Sequence, residues 1–197
     1  MKQSLQEIYD QVVTLNPNRM TDKGAGARGA IFNGPGHTYA QFYDILFGKF
    51  RNEPINILEV GINRGGSLLM WRKFFNDPNT NVYGIDINKS FADFTPEEKI
   101  NTFVFDAGDK TLLDKHLGDT KFDIIIDDGA HEKESQVKIY NILKHRMEPD
   151  GLYVIEDVFE VHENLEYFLE RVNPIPTVID RRWINGQLDD VMLVFRF

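Results

Sequence analysis

Asn56-Ile57-Leu58-Glu59-Val60 runs straight into Gly61-Ile62-Asn63-Arg64-Gly65-Gly66-Ser67. An apolar run, a glycine turn and a helix start in that order read as the opening of a strand–turn–helix crossover unit. An acid, Asp86, closes the next strand-like run, Asn81-Val82-Tyr83-Gly84-Ile85-Asp86. Such a layout makes a nucleotide-cofactor site. The turn lets the backbone approach the ligand, and a carboxylate one strand away can accept hydrogen bonds from ribose hydroxyls. The glycine spacing narrows the choice. A pyrophosphate fingerprint needs glycine at the third place of the turn, and Asn63 stands there. Glu59 puts an acid where a dinucleotide site gathers N–H groups around phosphate charge. That suits a cationic ligand with an amino group, such as S-adenosylmethionine, better than a dinucleotide.

From residue 55 onward the pattern alternates. Strands are expected at 55–60, 81–86, 101–105, 122–126 and 151–155, rich in Ile and Val as strands buried on both faces should be. Helices are expected at 66–75, 110–117, 133–147 and 160–171. The alternation predicts an α/β fold with a mostly parallel sheet. Thr177–Asp180 and Asp190–Phe195 face each other across Asn185-Gly186, which adds two strands, at least one antiparallel. Upstream, Leu5, Ile8, Tyr9, Val12, Val13 and Leu15 have helical spacing, and a second helix is expected from His37 to Phe50. The Gly-rich stretch 18–36 between them is a long loop of the kind that serves a function. With 197 residues, 42% of them hydrophobic, the chain is expected to be a single domain, 1–197: an N-terminal helical cap and cofactor-covering loop over 1–50, and a core over 51–197.

The formal net charge is −9. Nucleic-acid binding rests on Lys and Arg neutralising phosphates, so a nucleic-acid partner is not expected. Cysteine is absent, which excludes disulfides, thiol catalysis and thiolate metal sites. The N-terminus is polar and amphipathic, and no apolar run approaches the ~18–20 residues of a membrane span. A cytoplasmic location without membrane attachment is expected.

In an open parallel sheet, ligands bind outside the carboxyl ends of the strands. Every predicted strand end carries an acid: Glu59, Asp86, then Asp106 and Asp109, then Asp127 and Asp128, then Glu156 and Asp157. Acids so crowded repel one another, which predicts a bound cation. The cofactor accounts for Glu59, Asp86 and Asp109. Asp128 with Glu156 and Asp157 would converge from neighbouring strands and suit a hard divalent ion such as Mg2+. His131, three residues after Asp128, is placed to take a proton from a substrate hydroxyl.

These residues together resemble the class I S-adenosylmethionine-dependent methyltransferases. More narrowly, they are similar to the metal-dependent macrocin- and mycinamicin-type sugar O-methyltransferases and the related cephalosporin hydroxylase-like group. The motifs are Thr21-Asp22-Lys23-Gly24, His37-x-Tyr39-x-x-x-Tyr43, Ile57-Leu58-Glu59-Val60-Gly61 through Gly65-Gly66-Ser67-Leu68, and Tyr83-Gly84-Ile85-Asp86. They continue through Gly108-Asp109, Asp127-Asp128-Gly129-Ala130-His131 and Ile155-Glu156-Asp157. The resemblance implies a Rossmann-like sheet of seven strands in the order 3-2-1-4-5-7-6, the last antiparallel. It implies that Glu59, Gly61, Gly65 and Ser67 hold the methionine part of the cofactor, that Asp86 binds the ribose, and that Asp109 lies by the adenine. Thr21, Lys23 and Tyr39 would belong to the part closing over the cofactor. Asp127 is counted on the cofactor side, with a helix cap as its plainer role. Asp128, Glu156 and Asp157 match the metal ligands and His131 the base. Departures are Ala130 where the family has Ser, and Lys110 where it has Gln.

The expected reaction is Mg2+-assisted methyl transfer to a hydroxyl of a sugar or glycosylated small molecule, releasing S-adenosylhomocysteine, from a protein that can form homo-oligomers. The alternatives are a metal-independent O- or N-methyltransferase and a non-catalytic cofactor-binding protein. His37 is expected to pack or cap a helix, Tyr39 and Tyr43 to form an aromatic ridge, and Trp71, Phe74 and Phe75 to lie in the core. Trp183 is a candidate for the acceptor pocket.

Overall fold

The computed structural model describes all residues except Met1, Pro17, Met20, 25–35, 90–93 and 95–97. Most of the Gly-rich loop expected over 18–36 therefore lies outside the described residues. The elements are α1 (Leu5–Leu15), α2 (Tyr39–Leu46), β1 (Asn56–Val60), α3 (Gly66–Phe74), β2 (Asn81–Asp86), β3 (Ile100–Val104) and α4 (Lys110–Leu117). There follow β4 (Phe122–Asp127), α5 (Lys133–Leu143), β5 (Met147–Ile155), α6 (Val161–Leu169), β6 (Thr177–Asp180), α7 (Arg182–Asn185) and β7 (Val191–Arg196).

The strands form a seven-stranded sheet in the order β3-β2-β1-β4-β5-β7-β6. β1 to β5 pair in parallel, while β7 runs antiparallel to both β5 and β6. Side chains alternate across the sheet, so both faces must be covered. In β4, Ile124 and Ile126 join the layer of α1, α2 and α3, and Ile125 joins that of α4, α5 and α6; all three are fully buried. Burial of one such side chain is worth roughly 1.5–3 kcal/mol. α1 is started by a reciprocal cap: the Glu7 N–H donates to Ser4 Oγ at 3.2 Å, and the Ser4 N–H donates to Glu7 Oε2 at 2.7 Å.

Three expectations shift. The helix expected over His37–Phe50 is α2 followed by a 3-10 turn at Gly48–Phe50, glycine being a poor helix former. The helix expected to reach 147 stops at Leu143, and β5 begins at Met147 because Met147 already pairs with Phe122 of β4. The reversal at Asn185-Gly186 is a short helix, α7, that closes on Gly186 in a left-handed conformation.

The strand order reverses between β1 and β4, which creates the crevice where open sheets bind ligands. Backbone pairing continues past the strand ends there. Gly61 N–H donates to Ile85 O (2.8 Å), Asp128 N–H to Val60 O (2.9 Å) and Glu156 N–H to Asp127 O (2.9 Å). The acids at these ends are thereby held in one row.

Candidate active site

A cavity of about 620 Å³ opens over the carboxyl ends of β1, β2 and β4. Its wall carries Asp22, Asp86, Asp106 and Asp128 and, among the described residues, no Lys or Arg. Such a wall favours a cationic guest over a pyrophosphate. The glycine loop is built from backbone up. Gly61 has φ +91°, and a Cβ there would fall 2.0 Å from the Asp128 carbonyl oxygen, so only glycine lets β1 turn against β4. Gly65, at φ +74°, starts α3, where a Cβ would strike the Phe94 ring at 2.5 Å. Asp86 holds the loop: its Oδ2 accepts from Ile62 N–H (2.8 Å) and Asn63 N–H (3.0 Å), and its Oδ1 from Asn88 N–H (2.7 Å). A carboxylate has about four acceptor positions, so one on Oδ1 remains for a ribose hydroxyl.

The cation required by the strand-end acids comes partly from within the chain. The Lys23 side chain is fully buried, and its Nζ lies 2.7 Å from Asp128 Oδ2, 2.7 Å from Glu156 Oε2 and 3.1 Å from Glu59 Oε1. Burial alone would strip its proton; Asp128, Glu156 and Glu59 outweigh that and hold its pKa well above the ordinary lysine value. Glu59 also accepts from Trp71 Nε1–H at 3.2 Å and from the Ser67 hydroxyl. It is fully buried and does not line the cavity. Glu156 is enclosed as well, between Lys23 and the Tyr43 hydroxyl, and burial, only partly offset by Lys23, pushes its pKa well up.

Beside this cluster runs a chain of alternating acids and imidazoles. His131 Nε2 lies 3.1 Å from Asp128 Oδ1 and 3.7 Å from Asp157 Oδ2. On the other side of Asp157, His37 Nε2 is 3.6 Å from Oδ2, while His37 Nδ1 is 3.2 Å from Asp190 Oδ1. The Tyr39 hydroxyl donates to Asp157 Oδ1 at 2.7 Å. Burial would lower both histidines, yet their carboxylate neighbours raise each to about 9. Burial and Asp128 raise Asp157 to about 6, against His37 and His131. For Asp128 the order reverses: Lys23 and His131 together overcome burial and hold it at about 2. His131 and Asp157 both have positive φ, +57° and +53°. That conformation is uncommon for residues other than glycine and is held here by the surrounding contacts. Asp128, His131 and Asp157 each present a ligand atom, all within 4.8 Å of one another. The two carboxylates fit a hard divalent cation that keeps several waters, and the imidazole nitrogen stands beside them.

The sequence matches a family model described as a methyltransferase domain over residues 58–158, more than half of the chain. The chain belongs to the methyltransferase domain family. Demethylmacrocin O-methyltransferase of Streptomyces fradiae is 39% identical over 137 residues, which is 64% of this chain and 33% of that protein. Mycinamicin VI 2''-O-methyltransferase of Micromonospora griseorubida is 36% identical over the same shares. The chain thus spans about a third of the length of these relatives. Among solved structures, the MycE methyltransferase of mycinamycin biosynthesis, in complex with Mg and SAH, has a TM-score of 0.67 at 25% identity, covering 100% of this chain and 55% of that one. A second MycE complex, with Mg, SAH and mycinamycin VI, gives 0.61 at 32% identity over 79% and 39%.

In this methyltransferase fold the residues singled out from sequence separate into groups. Thr21, Gly61, Ser67, Asp86, Asp128 and His131 line the cavity. Asp109 does not; its Oδ1 caps α4 by accepting from Thr111 N–H and Leu112 N–H at 2.9 and 3.1 Å, and Asp106 stands at the wall instead. Asp127 is fully buried, with Oδ1 on Gly129 N–H and Oδ2 unpartnered among the described residues. Lys23 and Tyr39 meet the acids rather than the cavity, and Glu156 stands apart from the three converging donors. His37 and Tyr43, expected to be packing residues, are joined to Asp157 and Glu156. His37 and Asp190 are 153 residues apart in sequence, so only their residue types could have drawn notice. Trp183 is exposed on α7, away from the cavity wall.

Proposed function

We propose that this protein transfers a methyl group from S-adenosylmethionine to a hydroxyl of a sugar or glycosylated small molecule, with Mg2+ and with His131 as the base. The observation that carries the reading is the convergence of Asp128, His131 and Asp157 at the rim of a cavity whose wall is acidic and free of Lys and Arg among the described residues. The sulfonium donor supplies a methyl with a good leaving group, and its positive charge suits that wall. Mg2+, held by Asp128 and Asp157, would draw in neighbouring oxygens of the acceptor and lower the pKa of the hydroxyl to be methylated.

The chain's own residues do the rest. Asp86 and the Gly61 turn orient the ribose and the methionine side. The hydroxyl proton goes to His131 Nε2, which faces Asp128 Oδ1 and Asp157 Oδ2, and those two carboxylates stabilise the imidazolium that forms. His131 must start neutral to accept it. Sharing the two carboxylates with a divalent cation weakens their hold on its proton. His37 and Tyr39 fix Asp157 from the other side. The relatives named above are O-methyltransferases, by name of demethylmacrocin and of mycinamicin VI, which supports a hydroxyl acceptor on such a compound, and the net charge of −9 supports a small molecule over a nucleic acid.

The test is a calorimetric titration with S-adenosylhomocysteine and, separately, NAD, each with Mg2+ and with EDTA. It is followed by methyl transfer to a panel of deoxysugar glycosides. Micromolar binding of S-adenosylhomocysteine, none of NAD, and turnover abolished by EDTA are expected. No binding of S-adenosylhomocysteine in either condition refutes the cofactor assignment, and turnover unaffected by EDTA refutes the metal.

A further inference from the structure

Trp183 is 81% exposed, Leu188 67% and Phe159 46%. Burying such side chains is favourable, so large apolar groups left in water on neighbouring loops mark a place where an apolar body can lie. Phe159 stands on the loop after β5, and Trp183 and Leu188 stand on the segment that joins β6 to β7. The two loops touch. Val158 N–H donates to Val191 O at 3.0 Å, and Arg182 Nη2 lies 2.9 Å from His162 Nε2. Neither loop is slack. Arg182 forks onto Asp180, with Nε donating to Oδ1 at 3.0 Å and Nη2 to Oδ2 at 2.6 Å. Arg181 N–H donates to Asp190 O at 2.8 Å, and Asn164 Nδ2 donates to the Phe159 carbonyl at 3.0 Å. The apolar side chains are thus presented on a fixed surface, which lowers the ordering cost of binding.

The same surface borders the cavity. Arg181 Nε donates to Thr38 Oγ1 at 2.8 Å and Gln187 Nε2 to Gly36 O at 3.1 Å. Between these two, His37 N–H donates to Asp22 O at 2.6 Å, and Asp22 stands on the cavity wall. The β6–β7 segment therefore reaches the cavity through residues 36–38. The cavity itself, about 620 Å³, has the size that one cofactor or drug-sized molecule fills. With the methyl donor inside it, an acceptor can bring only its reacting hydroxyl to the rim, and the rest of the acceptor lies outside. We propose that Phe159, Trp183 and Leu188 form an apolar ledge that takes the aglycone of the acceptor, and so selects glycosides whose aglycone is large and apolar. An indole and a phenyl ring offer broad contact area at little cost in side-chain freedom. The ledge presupposes the glycoside acceptor of the proposed reaction and gives Trp183 a role beside the cavity, not in its wall.

Fluorescence can observe the ledge directly. The chain has two tryptophans; Trp71 is fully buried and Trp183 exposed, so acrylamide reaches Trp183 and not Trp71. The probes are the octyl and the methyl glycoside of one deoxysugar, the octyl compound kept below its micelle concentration, each with S-adenosylhomocysteine and Mg2+. The octyl glycoside should shield Trp183 from acrylamide, and the methyl glycoside should not. In Phe159→Ala, about tenfold more octyl glycoside should be needed for the same shielding. In turnover with S-adenosylmethionine, the KM for the octyl glycoside should lie about tenfold or more below that for the methyl glycoside. That ratio should fall toward one in Trp183→Ala and return in Trp183→Phe. Absence of shielding by the octyl glycoside, or a KM ratio that Trp183→Ala leaves intact, overturns the ledge. Methyl transfer to both glycosides without shielding refutes the ledge and leaves the proposed reaction standing. Shielding without methyl transfer to either supports the ledge as the seat of an apolar aglycone and refutes the proposed transfer. Neither shielding nor transfer overturns both.

Discussion

Replacing Gly61 by alanine tests whether the site depends on the close approach of β1 to β4. Two costs add. The backbone at φ +91° is unfavourable for any residue with a Cβ, by roughly 1–2 kcal/mol. The new Cβ would also lie 2.0 Å from the Asp128 carbonyl oxygen and 2.6 Å from its carbon, backbone atoms that cannot swing aside. Reaching ordinary contact requires moving the end of β4 by more than ~1 Å, an overpacking cost of about 1–3 kcal/mol. The sum is roughly 2–5 kcal/mol. At about 2–4 °C per kcal/mol for a chain of this size, unfolding should come roughly 4–20 °C earlier. Gly118→Ala is the control. It also has positive φ, +53°, but among the described residues nothing lies within 4 Å of the added Cβ, so it carries the conformational cost alone. The assay is thermal unfolding of both variants together with calorimetry of S-adenosylhomocysteine. Displacing Asp128 should weaken binding at least tenfold in Gly61→Ala and leave Gly118→Ala at wild-type affinity. Equal destabilisation of the two variants, or unchanged binding by Gly61→Ala, would show that the β1–β4 contact is not what glycine is there for.

Other outcomes follow from the same geometry. His131→Gln should lower methyl transfer by roughly 10²–10⁴-fold while S-adenosylhomocysteine affinity, measured by calorimetry, stays within a few-fold; equal turnover would remove His131 as the base. Asp127→Asn should relieve a pH-dependent cost. Burial is the main cause raising the Asp127 carboxyl from 3.8 to about 7, so its contribution to wild-type stability is greatest below pH 4 and falls as pH rises toward 7, by a few kcal/mol at most. In EDTA the variant should therefore match the wild type near pH 4 and exceed it at pH 8; parallel curves of unfolding temperature against pH would contradict this. Ser4→Ala should cost about 1 kcal/mol through loss of the α1 cap, read as an unfolding temperature lower by roughly 2–4 °C. An unchanged transition would mean that α1 does not unfold with the sheet.

Much of this molecule is legible in its amino-acid sequence. Alternation of Ile- and Val-rich runs with amphipathic stretches places β1, β2, β4 and the helices between them, since each buried strand and each helix face announces itself within a few residues. The glycines are legible for the same reason, since a positive-φ turn is local, and Asp86 is legible because it closes the next strand-like run, 24 residues from the turn residue it holds. The boundaries at Phe50 and Met147 are not, because pairing with β4 and not local preference decides where β5 begins. Asp109 misleads in an instructive way. The residue type that binds a ligand at a strand end also caps a helix, and the same few atoms of turn decide between them.

Sequence alone determined that carboxylates stand at the ends of successive strands and that the row needs positive charge. Both follow from period and residue type. Tertiary structure decided where that charge comes from and which oxygens stay free. Lys23 reaches Asp128 across 105 residues and Glu156 across 133, and His37 reaches Asp190 across 153. No local pattern encodes such distances. They arise when α2 and the segment before it are laid over the strand ends, and burial there makes each charge seek a partner it would not need in water.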